Sequence, residues 1–336
     1  MPTLTGSIRA RLSPHGLGLA LLTLLTGCDG QQSALNPAGV GAQSIAELFW
    51  WMSGGALVIW AAVMGIAIYA TQAHPEAHGI RGARWLIIGG GIIFPVVVLT
   101  GLLIYGLMLM PQLRSTEAIG LRVDVAGEQW WWRVRYQTEA GDKVELANEI
   151  RLPVGQRVAF SLTSPDVIHS FWIPSLGGKV DMIPGRTNKL VLEPTRTGTF
   201  RGACAEYCGA SHALMNFAVV VMEPEAFTDW LAGQAQPARA PDSALQQAGQ
   251  RAFLSNGCSA CHSVRGTEAD GTVGPDLTHV GSRLSLAAGT LPADVEAFQR
   301  WIGHTGEIKP DVRMPAFGML PGEQLNAMAH YLSGLK

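Results

Sequence analysis

Hydrophobic and polar positions divide the chain into three regimes. The first is long and uninterrupted. Residues 46–70, AELFWWMSGGALVIWAAVMGIAIYA, carry one charge, at the start, and residues 85–110, WLIIGGGIIFPVVVLTGLLIYGLMLM, carry none. Each exceeds the ~20 apolar residues needed to cross hydrocarbon, so each predicts a transmembrane helix. From 119 to 223 the apolar runs become short and β-rich, as in LRVDVAGEQWWWRVRYQ and NFAVVVMEP, with turns of Gly, Pro, Asn and Asp between them. That pattern predicts a Greek-key sandwich or barrel, closed by a helix in EPEAFTDWLAG. After QAQPARAPDSA, a Pro- and Ala-rich stretch without periodicity that reads as a linker, helical patterns return in ALQQAGQRAFLSNG, ADVEAFQRWIGHT and PGEQLNAMAHYLSGL. They predict a small all-α domain. The expected architecture is multidomain: a two-helix anchor (28–115), an all-β domain (116–225), a helix and linker (226–243) and an all-α domain (244–336).

A shorter apolar run, LGLALLTLLTG, follows Arg9 and Arg11 and is too short to span. It reads as a secretory signal over residues 1–27. It ends in LLTGC, which resembles the lipobox of bacterial lipoproteins; that resemblance implies cleavage before Cys28 and a lipid on its thiol. An ordinary signal peptide with an incidental cysteine is the alternative. Arg81 and Arg84 lie in the loop between the two spans, whereas residues 28–44 hold no Lys or Arg. The positive-inside rule puts that loop in the cytoplasm and everything after Met110 outside it.

Composition narrows the function. Charged residues make up 15% and hydrophobic ones 48% of 336 residues, which suits a membrane protein, and a net charge of −2 argues against nucleic-acid binding through phosphate contacts. Five cysteines leave one over from simple pairing.

Four of the cysteines fall in two motifs. CAEYCGASHALM (204–215) places Cys204, Cys208, His212 and Met215 on one loop, and an earlier His169 stands in SPDVIHSFWIPSLGGKVDMIPGR. Thiolates and a thioether are soft ligands that favour copper, and zinc has no use for the methionine. One thiolate would make a mononuclear site, and two can bridge a pair of coppers. A Cys204–Cys208 disulfide is the structural alternative in an oxidising compartment. The second motif, CSACH (258–262), is C-x-x-C-H: thioethers from Cys258 and Cys261 to a haem c, with His262 as proximal ligand. RMPAF offers Met314 as the sixth ligand, a combination that raises haem potential. Met319 and Met328 compete with it.

Residues 45–225 resemble cytochrome c oxidase subunit II, through the complete C-x-E-x-C-G-x-x-H-x-x-M loop and the segment around His169. The resemblance implies a cupredoxin domain with a binuclear copper A centre. Cys204 and Cys208 would bridge the metals, His169 and His212 would each bind one, and Met215 and the Glu206 carbonyl would complete the set. It also implies that the Glu206 side chain reaches a magnesium shared with subunit I. In GEQWWWRVRY, similar to the family's aromatic stretch, it implies that electrons enter at Trp130. Strand alternation would put Trp130 and Trp132 on one face and Trp131 on the other. GPDLTHVGSR resembles class I cytochromes c, with Pro275 supporting the proximal histidine. The whole is similar to subunit II of the caa-type oxidases. That implies a path from cytochrome c or another reduced donor to haem c, to copper A, and to haem a in subunit I of a proton-pumping oxidase in the bacterial inner membrane, with copper and haem domains on the periplasmic side. A copper A/haem c subunit of a nitric oxide reductase and a membrane-tethered electron carrier are the alternatives. The chain departs from the family at GIRGARWLII, where no acid closely precedes Trp85, so the implied contribution to proton uptake is in doubt. His74, His78, His279, His304 and His330 have no assigned partner.

Overall fold

The computed structural model describes residues 30–73, 79–114, 119–137 and 143–336. The expected signal, Cys28, His74 and His78 lie outside the described residues.

The first helix, α1 (Val40–Ile68), runs on through wider turns at Tyr69–Ala73. The second span is α2 (Ile80–Trp85), a wide-turned stretch at Leu86–Ile93, and α3 (Phe94–Arg114). Pro95 has no N–H to give to the preceding turn, and the wide turns lie immediately upstream of it, as expected where a proline interrupts the ladder. The continuous spans are Val40–Gln72 and Ile80–Met110. Both start earlier than the apolar runs because helix geometry tolerates the polar residues ahead of them. Trp60, Val97 and Leu103 are among many apolar side chains bare on both helices. Hydrocarbon, not water, suits such a surface.

The chain just before α1 belongs to the β domain. Ala38 N–H donates to Ser175 O at 2.6 Å, Val40 N–H to Glu193 O at 3.0 Å, and Thr195 N–H to Ala38 O at 2.8 Å. Ala38 and Ala42 are buried against that surface. The membrane helix is thus fastened to the domain it carries.

Among the described residues, ten strands form the β domain: β1 (Leu121–Glu128), β2 (Trp131–Gln137), β3 (Lys143–Ala147), β4 (Glu149–Pro153), β5 (Val158–Thr163), β6 (His169–Trp172), β7 (Val180–Met182), β8 (Asn188–Leu192), β9 (Gly198–Cys204) and β10 (Asn216–Met222). They make two five-stranded sheets, ordered β3-β2-β1-β5-β8 and β4-β10-β9-β6-β7. Alternation explains the packing: Leu121, Val123 and Val125 of β1 and Val158, Phe160 and Leu162 of β5 all face inward. Trp132 meets Phe171 and Phe217 edge-on, and Phe171 stacks on Phe217 at 4.9 Å. Helix α4 (Pro224–Ala235), with Pro224 at its first turn, covers Tyr136 with Phe227 and Trp230.

The C-terminal domain contains α5 (Ala244–Ser255), a small hairpin of β11 (Ser285–Leu286) and β12 (Leu291–Pro292), α6 (Val295–Gly303), a single turn α7 (Thr305–Ile308) and α8 (Gly322–Gly334). Ser243 and Asp294 cap α5 and α6 by accepting from Gln246 N–H and Ala297 N–H. α5 crosses α8 at Gly249, where a Cβ would meet Ala327 O at 2.0 Å. The linker is strapped down. Gln236 O meets His279 Nε2 at 3.0 Å, Ala238 N–H donates to Arg265 O at 2.8 Å, and Arg265 also donates to Gln234 O.

Candidate metal centre and haem cavity

Sheet pairing creates the first site. Cys204 ends β9, His169 begins β6, and the two strands pair with Phe171 opposite Cys204. The loop from Ala205 to Met215 joins β9 to β10, and Cys204 N–H donating to Met215 O at 2.9 Å closes its base. The loop therefore returns its donors to the strand end where it began. Cys204 Sγ and Cys208 Sγ are 3.8 Å apart. A disulfide needs about 2.05 Å, and both cysteines are free. His169 Nδ1 is 3.8 Å from Cys204 Sγ, His212 Nδ1 is 3.5 Å from Cys208 Sγ, and Met215 Sδ is 3.9 Å from Cys208 Sγ. Glu206 O is 3.2 Å from Cys204 Sγ. All six sequence-predicted donors thus converge, and two thiolates flanked by imidazoles and a thioether are a copper donor set rather than a zinc one.

Three further residues serve this cluster. Asp166 Oδ1 meets His169 Nε2 at 2.9 Å, leaving Nδ1 to face the sulfurs. Gln129 Nε2 and Trp130 Nε1 both donate to Cys208 O, at 2.8 and 3.0 Å. The acid three residues before His169 was the legible signal for Asp166. Gln129 stands in GEQWWWRVRY, the stretch similar to the family's, but its role at the copper loop was not legible there.

The protons follow from these contacts. A hydrogen bond from Cys208 pushes the Cys204 thiol down to about 3, against burial, with His169 assisting. The same contact and burial push Cys208 upward. Burial raises the Asp166 carboxyl, but hydrogen bonds from Gln129 N–H, His169 and Val167 N–H outweigh it and hold it below the usual range.

Glu206 is half-exposed, and its carboxylate lies 3.5 Å from Lys179 Nζ. One carboxylate beside an ammonium is a poor cation site in this chain alone. Tyr207, next to it, is 75% exposed.

The second site is a cavity of about 300 Å³ lined by Cys258, Cys261, His262, Met314 and Arg283. His262 Nδ1 meets Pro275 O at 2.9 Å, leaving Nε2 for a metal. Burial keeps the imidazole neutral by pushing its pKa down. A Cβ on Gly274 would meet His262 Cε1 at 2.6 Å, so glycine there lets the backbone pass the ring. Arg283 is half-buried, and its buried Nε has no hydrogen-bond partner among the described residues. An anionic substituent such as a haem propionate is what that atom lacks, and with two cysteines and a histidine the lining fits haem c. Met328 also lines the cavity, from inside α8, whereas Met319 is 78% exposed and does not.

The cavity is shared between domains, because Gln129, Trp130 and Trp131 of the β domain complete its wall. Trp130 is 5% exposed. It lies in the turn ahead of β2, outside the strand, so the expected alternation governs only Trp131 and Trp132. Trp132 enters the core, and Trp131 carries the Arg133 guanidinium 4.6 Å from its ring centre. Polar contacts bind the domains around this wall. Arg133 Nη2 donates to Thr272 O at 3.0 Å, Leu284 N–H to Glu149 Oε2 at 2.8 Å, and Asn216 N–H to Ala288 O at 3.0 Å. Lys309 is buried in the seam. Burial pushes its amine down to about 7, with the nearby Cys208 acting in the opposite direction. Its three carbonyl acceptors favour the charged form.

The family described as cytochrome c oxidase subunit II, periplasmic domain, matches residues 138–222, and the family described as cytochrome c matches residues 246–336. Cytochrome c oxidase subunit 2 of Alkalihalophilus pseudofirmus is 33% identical over 345 residues, covering 95% of this chain and 96% of that relative. The Bacillus subtilis protein of the same name is 32% identical over 277 residues, covering 76% of each. Among solved structures, the periplasmic domain of subunit II of cytochrome oxidase of Bradyrhizobium japonicum is 32% identical and covers 36% of this chain and 97% of its own, with a TM-score of 0.34.

Proposed function

The chain belongs to the cytochrome c oxidase subunit 2 family, and from that premise we propose that it receives electrons in its C-terminal haem domain and delivers them through its copper centre to haem a of subunit I, where oxygen is reduced and protons are pumped. When bound, haem c and copper A supply reversible one-electron transfer. The residues of this chain set where that happens. Cys204 and Cys208 would bridge the copper pair, with His169, His212, Met215 and the Glu206 carbonyl completing it. Cys258 and Cys261 would hold the haem covalently, with His262 and Met314 as its axial ligands. Asp166 would fix the His169 ring, and Trp130 would be where electrons reach the copper loop.

The single observation that carries this reading is the shared wall. Trp130 lines the haem cavity and is hydrogen-bonded to Cys208 O. The fused domain covers Trp130, so a soluble donor would act on the haem domain and not on the indole. A nitric oxide reductase subunit or a free tethered carrier is less favoured, because the match to the oxidase relative spans nearly the whole of both chains.

The finer placement belongs to the same proposal. Two helices would hold the chain in the bacterial inner membrane with both domains on the periplasmic side, and Cys28 would be lipidated after signal cleavage. A magnesium at Glu206 would need most of its ligands from subunit I.

Electron paramagnetic resonance of the full chain, oxidised and with metal and haem counted, tests the assignment. Two coppers per covalent haem, with one unpaired electron shared by both nuclei, is the expected result. A single-nucleus spectrum would remove Cys204 from its bridging role.

A further inference from the structure

Lys309 is 2% exposed, yet among the described residues no carboxylate accepts from it. Its Nζ donates to three backbone carbonyls: Trp130 O at 2.5 Å, Leu214 O at 3.0 Å and Ala287 O at 3.3 Å. Burying an ammonium is costly unless its donors are all matched, and here three protons meet three acceptors. The acceptors come from three different places. Trp130 belongs to the wall of the haem cavity, Leu214 to the copper loop, and Ala287 to the hairpin of the haem domain. The next residue continues the contact, since Ser211 Oγ donates to Pro310 O at 2.6 Å. The same stretch leads on to the axial-ligand loop, where Thr305 Oγ1 donates to Met314 O at 2.9 Å. One short segment therefore touches both the copper loop and the loop that carries Met314. An apolar side chain would fill the seam at less desolvation cost, so packing alone does not explain a lysine.

We propose that Lys309 is a positioning residue that locks the haem domain onto the copper loop and, as a positive charge set between the two centres, favours the reduced form of both. The proposal rests on the cofactor assignment above. A cation near a redox centre stabilises the state with one electron more, and the water-excluded seam preserves that field. The lock fixes the Trp130 wall relative to Cys208, so the distance between centres does not depend on diffusion of a tethered domain.

The test uses the full chain in its purified membrane complex at pH 6, where the ammonium is charged. Lys309→Met keeps side-chain length and removes the charge. The expected result is full copper and haem content, lower midpoint potentials at both centres, and amide exchange at Asn216 faster by at least about tenfold, as its bond to Ala288 opens more often. Lys309→Arg should keep both potentials near wild type. Ser211→Ala should speed exchange and leave the potentials in place, which separates the lock from the charge. Unchanged potentials, or unchanged exchange, in a fully loaded Lys309→Met chain would overturn the proposal. If Lys309→Met does not accumulate, Lys309→Gln is read in the same way. A wild-type chain lacking haem or paired copper would instead sink the cofactor assignment, and the two failures are told apart by the metal count.

Discussion

The indole N–H of Trp130 donates to the carbonyl oxygen of Cys208 at 3.0 Å, so a residue in the wall of the haem cavity is one hydrogen bond from the backbone of a cysteine proposed to hold the copper pair. Trp130→Phe keeps an aromatic wall and removes the bond. Electron transfer from haem to copper should slow while both cofactors remain, measured by flash reduction of the haem. Trp130→Ala should in addition destabilise the domain by about 3–5 kcal/mol, as large buried truncations do.

Asp166 orients His169, and Asp166→Asn removes the carboxylate with little change in shape. Copper affinity should fall roughly 10–100-fold, the usual cost of losing such a partner, measured by competition with a copper chelator. In the folded chain the pKa of Asp166 is held below the ordinary aspartate range by hydrogen bonds from Gln129 N–H, His169 and Val167 N–H. Its contribution to stability is therefore fully present above about pH 4 and is lost as pH falls through the lower folded value. Acid unfolding curves of wild type and Asp166→Asn should converge below that window.

Copper uptake by the apo chain should weaken as pH falls. The thiol of Cys208 is pushed up by its neighbour Cys204, and a proton must leave it before it can bind metal. Proton release on titration with copper, followed with an indicator dye, should accompany binding. Uptake independent of pH would count against two thiolate ligands.

Gly249→Ala places a Cβ 2.0 Å from Ala327 O, where α5 crosses α8. The backbone cannot yield as a side chain could, so the haem domain should lose about 1–3 kcal/mol, read from denaturant unfolding followed by haem absorbance. The copper spectrum should not change.

A soluble fragment beginning near residue 115 lacks the strap at Ala38–Val40. Three hydrogen bonds to Ser175, Glu193 and Thr195 go with it, at about 1 kcal/mol each. Its melting temperature should lie below that of a fragment in which residues 30–39 are joined through a short loop in place of the helices.

Much of this molecule could be read from its residues because the signals are local. Two apolar runs long enough to span, alternation in β1 and β5, and ligand residues within twelve positions of one loop need no knowledge of distant contacts. The relation of the domains could not be read in this way. QAQPARAPDSA has the composition of a loose tether, yet Gln236 and Ala238 are hydrogen-bonded to His279 and Arg265, which stand far away in sequence. Nothing in the sequence marks Lys309 as buried, because its three acceptors are backbone carbonyls, which leave no mark in a sequence. Trp130 was picked out by resemblance, but the three tryptophans were read as one strand, and a turn at Gln129–Trp130 sets the first apart.

The copper loop has one flank under the haem domain, through Ser211 and Asn216, and one bare flank at Glu206 and Tyr207. On the proposed assignment the bare flank is also the side turned to subunit I. Metal delivery and electron departure then use the same doorway at different times in the life of the protein. On that assignment loading would have to finish before the partner subunit closed the doorway, so the sequence of assembly, as much as the chemistry of the ligands, would decide whether a finished oxidase contained its copper.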